Sequence, residues 1–142
     1  MNHTIKTGIS GAFIVFVAAC TQNEASPEQA VIELYTAAYN EADVASMAAL
    51  MSDTVQWFAI EGGVTVPMAD GKEDLSAQLT TYLASTNTTS TLSDWTQNGA
   101  FLSVIETASW SSQSGESMSQ SSLAVYEIRN DRIQRVWYYP TD

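Results

Sequence analysis

Residues 91–110 read TLSDWTQNGAFLSVIETASW, and this stretch contains the strongest structural signal in the chain. Polar and apolar residues alternate on both sides of Asn98-Gly99, a dipeptide typical of a two-residue type I′ β-hairpin turn. Two strands are therefore expected, Thr91–Gln97 and Ala100–Trp110.

A second hairpin is expected nearer the C-terminus. Residues 118–128 and 132–139 have strand composition and flank a turn at Asn130-Asp131. One earlier strand is expected over residues 55–60, closed by Gly62-Gly63, and a loop punctuated by Pro67 and Gly71 follows it. The expected sheet is therefore made of five strands.

Three helices are expected before these hairpins. Ser26-Pro27-Glu28-Gln29 is a capping box with proline at the first helical position, and the apolar spacing after it extends a helix to about Asn40. Asp43 can cap a second, short helix that turns Met47, Leu50 and Met51 inward. A third helix is expected over residues 72–84. The predicted fold class is α+β, with three N-terminal helices wrapped by a curved antiparallel sheet.

The first twenty residues have the composition of a lipoprotein signal. A short segment with Lys6 precedes an apolar run over residues 9–19, too short to span a membrane. Val17-Ala18-Ala19-Cys20 resembles the bacterial lipobox, in which the cysteine is acylated. We expect a signal peptide over 1–19, a lipidated N-terminus and tether over 20–26, and one domain over 27–142. The expected location is the cell envelope, on the periplasmic side of the outer membrane in a diderm host.

Composition excludes several kinds of site. The net charge of −11 over 142 residues disfavours contact with phosphates, so a nucleic-acid partner is not expected. Cys20 is the single cysteine, which excludes an intrachain disulfide. His3 is the single histidine and falls in the signal peptide. The mature chain therefore has no histidine for a zinc site or a Ser-His-Asp triad, and neither a metal nor a cofactor is expected.

Three motifs together carry a family resemblance. They are Tyr35-Thr-Ala-Ala-Tyr39-Asn40-Glu-Ala-Asp43, Gly71-Lys-Glu-Asp-Leu75 and the final stretch over residues 132–139. In this order and spacing the chain resembles the nuclear transport factor 2-like superfamily, in its SnoaL-like and ketosteroid-isomerase-like branch. The resemblance implies a cone-shaped domain whose open end holds a mostly apolar pocket.

The same resemblance argues against ketosteroid isomerase chemistry. Tyr35 matches the tyrosine that stabilises the oxyanion in such enzymes. The position of the catalytic base falls at Trp57 or beside it, and the second acid falls at Leu123 or Ala124. None of these three side chains can exchange a proton as a carboxyl group does, so isomerase activity of that type is not expected.

Glu106 is the most unusual candidate for the pocket. By period two it shares one strand face with the apolar residues Leu102, Val104, Ala108 and Trp110. If that face is concave, Glu106 is a carboxylate inside the pocket; otherwise the face is solvated or forms a dimer contact. The full set of expected pocket residues is Tyr35, Tyr39, Trp57, Glu61, Leu102, Val104, Glu106, Trp110 and Trp137.

Three functions are open at this point. The first is a membrane-anchored lipoprotein that binds a small apolar or aromatic ligand without catalysis. The second is a proton-transfer or hydration enzyme that uses Glu106 or Glu61 as base, with Tyr35 as hydrogen-bond donor. The third is a structural module that forms a homodimer and fills its own pocket. The first is favoured, because acids without a histidine or a cationic partner are a sparse catalytic set.

Overall fold

The computed structural model describes residues 24–140. Its elements in chain order are α1 (Pro27–Asn40), α2 (Val44–Ala49), β1 (Met51–Glu61), β2 (Val64–Asp70), α3 (Lys72–Ser85), β3 (Thr89–Asn98), β4 (Phe101–Ser111), β5 (Ser117–Arg129) and β6 (Arg132–Pro140). None of the helices in this part of the chain has the length and apolar character needed to cross a membrane. The predicted signal peptide and Cys20 lie outside the described residues.

The first two helices begin at the predicted caps. The Ser26 hydroxyl accepts a hydrogen bond from the Gln29 backbone N–H at 3.1 Å, and the Asp43 carboxylate accepts from the Ser46 N–H at 3.0 Å. Both caps satisfy N–H groups that have no partner inside the helix. One boundary was wrong: Met51 begins β1 and is not part of the second helix.

The six strands form one sheet in the order β2-β1-β6-β5-β4-β3. Neighbours are antiparallel except β1 and β6, which are parallel. The helices cover one face, where the core contains Ile32 of α1, Met47 of α2 and Val136 of β6, all fully buried. The α+β class and the curved, mostly antiparallel sheet are as predicted from the sequence.

The first hairpin turn differs by one residue from the prediction. Asn98 pairs with Phe101, so the two loop residues are Gly99 and Ala100. Of these, only Gly99 has a positive φ, at 60°, whereas a type I′ turn requires it at both positions. The second hairpin matches its prediction: Asn130 and Asp131 have φ values of 51° and 54°, and the flanking residues of the turn pair with each other.

The strand β2 was not predicted. Residues 64–70 were expected to be a loop because of Pro67, yet they pair with β1 at the edge of the sheet. Pro67 lacks a backbone N–H, and its pairing with Phe58 falls where the register shifts between Trp57 and Phe58. Edge strands and bulges are the positions in a sheet that tolerate proline.

Candidate functional site

A cavity of about 480 Å³ lies between the helices and the concave side of the sheet. That volume is in the range of small-molecule sites. Met68 and Tyr82 are 49% and 44% exposed and mark its mouth, whereas Tyr35 is only 4% exposed and belongs to its floor. The lining residues are Tyr35, Thr36, Tyr39, Trp57, Phe58, Ala59, Met68, Ala69, Leu75, Gln78, Leu79, Tyr82, Glu106 and Tyr138.

Glu106 is held in this cavity by hydroxyl groups. The Ser90 hydroxyl donates to Oε1 at 2.6 Å. The Tyr138 hydroxyl donates to Oε2, and the Tyr126 hydroxyl lies 3.3 Å from both Oε2 and the Tyr138 oxygen. The carboxylate therefore accepts hydrogen bonds from neutral groups on three strands, β3, β5 and β6.

The end of α1 places Ser90 against Glu106. The Asn40 side-chain oxygen accepts from the Ser90 N–H at 2.7 Å, and its Nδ2 donates to the Ser90 carbonyl at 2.9 Å. This pair of hydrogen bonds fixes β3 to the last residue of the helix. Leu92, two residues later on the same face, is the residue that pairs with Glu106. Ser90 therefore lies diagonally across the strand pair from Glu106, where its hydroxyl reaches the carboxylate.

Aromatic rings form the wall beside the carboxylate. Trp57 stacks on Tyr138 with ring centres 5.5 Å apart, and Tyr35 lies 5.8 Å away on a tilted plane. Tyr126 meets Trp57 edge to face at 6.2 Å. Such offset and edge contacts add about 0.5–1.5 kcal/mol per pair beyond the apolar area they bury. The four rings therefore pack against one another in a single wall of the cavity.

The phenols around Glu106 remain protonated at neutral pH. Burial raises the pKa of Tyr35, Tyr126 and Tyr138 well above the ordinary value, and for Tyr35 and Tyr126 the charge of Glu106 is the next largest cause. The pKa of Tyr39 is also raised, first by burial and then by Tyr82. All four side chains therefore serve as neutral hydrogen-bond groups in this site.

The structure brings together four of the predicted pocket residues: Tyr35, Tyr39, Trp57 and Glu106. Leu102 and Val104 share the face of Glu106, as predicted, but are buried in the core and do not line the cavity. Both belong to the main hydrophobic core, together with Ile32 and Tyr126.

Three further residues of the predicted pocket set do not line this cavity. Glu61 is exposed at the end of β1 and does not line the cavity. Trp110 borders a separate, polar groove near the β4–β5 loop. Trp137 lies on the outer face of the sheet, where it stacks on Phe58 with ring centres 5.9 Å apart. Tyr138, the next residue, occupies the inner position because β-strand side chains alternate.

Several residues of the site were missed. Ser90, Tyr126 and Tyr138 contact Glu106 directly, while Met68 and Ala69 enter through the unpredicted strand β2. Counting back from the turn at Asn130-Asp131 without a bulge would pair Ala124 with Trp137. The register shift between Glu127 and Ile128 pairs Ala124 with Tyr138 instead, so turn and alternation alone do not predict the inner position of Tyr138.

No group of three or more His, Cys, Asp or Glu side chains that could hold a metal ion occurs in residues 24–140. The chemistry available in the cavity is therefore that of one carboxylate, several phenols and apolar surface. Such a set can bind and orient an organic molecule, and its one carboxylate could accept a proton.

Comparison with known proteins agrees with this architecture. The family model described as SnoaL-like domain matches residues 31–136. The crystal structure of TerC with polyporic acid has a TM-score of 0.68 to this chain at 17% identity, covering 82% of this chain and 92% of that one. RV0760c from Mycobacterium tuberculosis, in complex with estradiol-17beta-hemisuccinate, has a TM-score of 0.67 at 18% identity and coverages of 82% and 95%.

A protein with a ketosteroid isomerase-like fold from Catenulispora acidiphila, in complex with trimethylamine, has a TM-score of 0.65 at 13% identity and coverages of 78% and 85%. At these identities the likeness establishes the fold alone. A search of curated proteins found no match.

The raised phenol pKa values predict how the domain responds to alkali. At a pH of about 10.5, where an ordinary tyrosine is mostly ionised, four of the six tyrosines should stay neutral in the folded domain. Folded phenols hold their protons more tightly than unfolded ones, so the stability they contribute is complete below about pH 10 and falls as pH rises above it. The ultraviolet absorbance of tyrosinate measures the ionisation of the phenols, and circular dichroism at the same pH values measures unfolding. Ionisation of all six before unfolding would contradict the buried network.

Proposed function

Because the chain belongs to the SnoaL-like domain family, we propose that its domain is a binding module that holds a small apolar or aromatic molecule without chemical turnover. The observation that supports this proposal best is the open aromatic cavity of about 480 Å³. Proteins of the same fold were solved with polyporic acid, an estradiol hemisuccinate and trimethylamine, all small organic molecules.

The cavity also argues against the purely structural alternative. That alternative requires side chains such as Trp57 and Trp110 to fill the pocket. Trp57 instead forms part of the wall, Trp110 lies elsewhere, and the space between wall and helices stays open. A domain with only a structural role has no evident need for an open cavity, because interiors normally pack to high density.

A proton-transfer or hydration enzyme is the second candidate, because Tyr35 and Glu106 line the same cavity. Glu61 is no longer a candidate base, since its exposed position is outside the cavity. The two functions differ in one measurement: an enzyme converts the molecules that it binds. If every bound compound is recovered unchanged after prolonged incubation, binding without turnover is the remaining candidate function.

We predict that narrowing the cavity weakens binding. Ala69 pairs with Trp57 across β1 and β2 and lines the cavity, so Ala69→Leu places three extra carbons where the ligand lies. Isothermal titration with 2-naphthol, a neutral aromatic probe, should show affinity reduced by at least about tenfold. Ala77→Leu, at an exposed position of α3, is the matched control and should bind like the wild type. Undiminished binding to Ala69→Leu would place the ligand elsewhere.

The domain is further proposed to be anchored to the membrane through a lipid on Cys20. The support is the lipobox-like Val17-Ala18-Ala19-Cys20 after an apolar run. Two or three acyl chains on one residue are enough for stable anchoring. In this proposal the cavity lies in the cell envelope, on the periplasmic side of the outer membrane in a diderm host.

Cys20→Ser should abolish incorporation of labelled palmitate and move the protein out of the membrane fraction. Thr21→Ser, which changes the adjacent residue and keeps the cysteine, is the control and should remain labelled and membrane-bound. Fractionation of a bacterial culture grown with labelled palmitate measures membrane association and labelling of each variant. Continued labelling of Cys20→Ser would refute the anchor.

A homodimer through the outer face of the sheet is the third part of the proposal. Phe101, Leu123 and Tyr139 are 41%, 38% and 41% exposed there, around the stacked rings of Trp137 and Phe58. A contiguous apolar surface of this kind is typical of an interaction site.

Leu123→Glu should convert the dimer to a monomer, because it introduces a charge into the centre of this apolar surface. Val64→Glu, at an exposed position on β2, is the matched control and should leave the dimer intact. Sedimentation velocity distinguishes the two states. A monomeric wild type would contradict the proposed homodimer and would leave the proposed binding function of the cavity unchanged.

A further inference from the structure

The cavity contains one charge without a counter-ion. Among the lining residues of the described chain, Glu106 is the only aspartate, glutamate, lysine, arginine or histidine. The hydroxyls of Ser90, Tyr126 and Tyr138 contact its oxygens, but all of these groups are neutral. They stabilise the carboxylate, and no basic side chain among the lining residues neutralises it.

The basic side chains of the described residues are engaged elsewhere. Their contacts are Lys72 with Asp53 at 2.8 Å, Arg129 with Glu127 at 2.6 Å, Arg135 with Glu127 at 3.3 Å, and Arg132 with the Asp131 carbonyl at 3.2 Å. None of these four side chains lines the cavity. The contrast with Glu127 is informative, because that buried carboxylate on the outer face has two arginines. A partly buried charge without a partner is unusual in a protein interior.

The aromatic lining of the cavity also favours a positively charged ligand. Tyr35, Trp57 and Tyr138 line the floor beside Glu106, while Tyr39 and Tyr82 continue the aromatic lining toward the mouth. Aromatic rings attract cations through their quadrupole, and several rings around one cation bind methylated ammonium groups. The chain as a whole has a net charge of −11, which also draws a cation toward it.

We infer that the ligand of this cavity carries a tertiary or quaternary ammonium group that lies near Glu106, with its hydrocarbon part against the aromatic wall. The carboxylate supplies charge complementarity, and alkyl groups on the nitrogen suit a site whose remaining surface is apolar. This inference rests on the proposed binding function and specifies the chemical class of the ligand.

Three substituted phenols test the inference on the whole domain, and the first two have the same shape. They are (4-hydroxybenzyl)trimethylammonium, its neutral isostere 4-(2,2-dimethylpropyl)phenol, in which carbon replaces the charged nitrogen, and the anion 4-hydroxyphenylacetate. Isothermal titration at neutral pH should give an ammonium affinity at least about tenfold above that of the neutral probe. The anion should bind more weakly than either, because it meets the carboxylate at close range.

Glu106→Gln isolates the charge, because it keeps the shape of the side chain. It should lower the affinity for the ammonium probe by at least about tenfold and leave that for the neutral probe within about twofold. Glu116→Gln removes the same charge from the exposed end of the β4–β5 loop and is the matched control. It should leave the preference for the ammonium probe unchanged.

Each outcome decides the matter. Equal affinity of the wild type for the ammonium and neutral probes overturns the inference and leaves the binding function standing. Retention of the ammonium preference by Glu106→Gln also overturns it, because the charge would then act from elsewhere. Failure of the wild type to bind any of the three probes counts against the binding function itself. If Glu106→Gln does not fold, the comparison of the probes on the wild type still decides.

Discussion

The register of β4, β5 and β6 is the constraint on which the site depends. Ala124 pairs with both Val104 and Tyr138, so the tyrosines of β5 and β6 stand on the same face as Glu106. A slip of β6 by one residue would exchange Tyr138 for Trp137 and remove a donor from the carboxylate. The turn at Asn130-Asp131 fixes the pairs next to it, and a one-residue register shift between Glu127 and Ile128 then brings Tyr138 opposite Ala124.

The hydrogen bonds that this register directs to Glu106 favour a role of the carboxylate in binding over a role as a general base. An ionised carboxylate has about four acceptor positions, and the hydroxyls of Ser90, Tyr126 and Tyr138 are aimed at three of them. A general base needs a lone pair free to meet the substrate and, in most enzymes, a group that completes the proton transfer. Glu106 offers little of either, whereas its charge acts at a distance and does not require a free lone pair. The arrangement is therefore better suited to electrostatic recognition.

Much of the fold could be predicted from local chemistry, because caps and turns are encoded by few residues. Ser26, Asp43 and Asn130-Asp131 each act within four residues of their position, and each behaved as predicted. The strand β2 was missed because Pro67 is a loop signal unless the segment is known to be an edge strand with a register shift. The site was predicted less completely, since its members come from every element except α2 and meet only through long-range pairing.

The error at Trp137 shows why alternation alone could not identify the pocket. Period two separates the faces of a strand but does not say which face is concave, and β6 carries aromatic residues on both. Trp137 and Tyr139 face outward, while Tyr138 faces the cavity. β6 lies in the middle of the sheet and is apolar on both sides, so its hydrophobicity does not show which face the helices cover. Trp137 and Tyr138 thus contact different faces of the sheet, and the pairing of Tyr138 with Ala124 identifies which of the two faces the cavity.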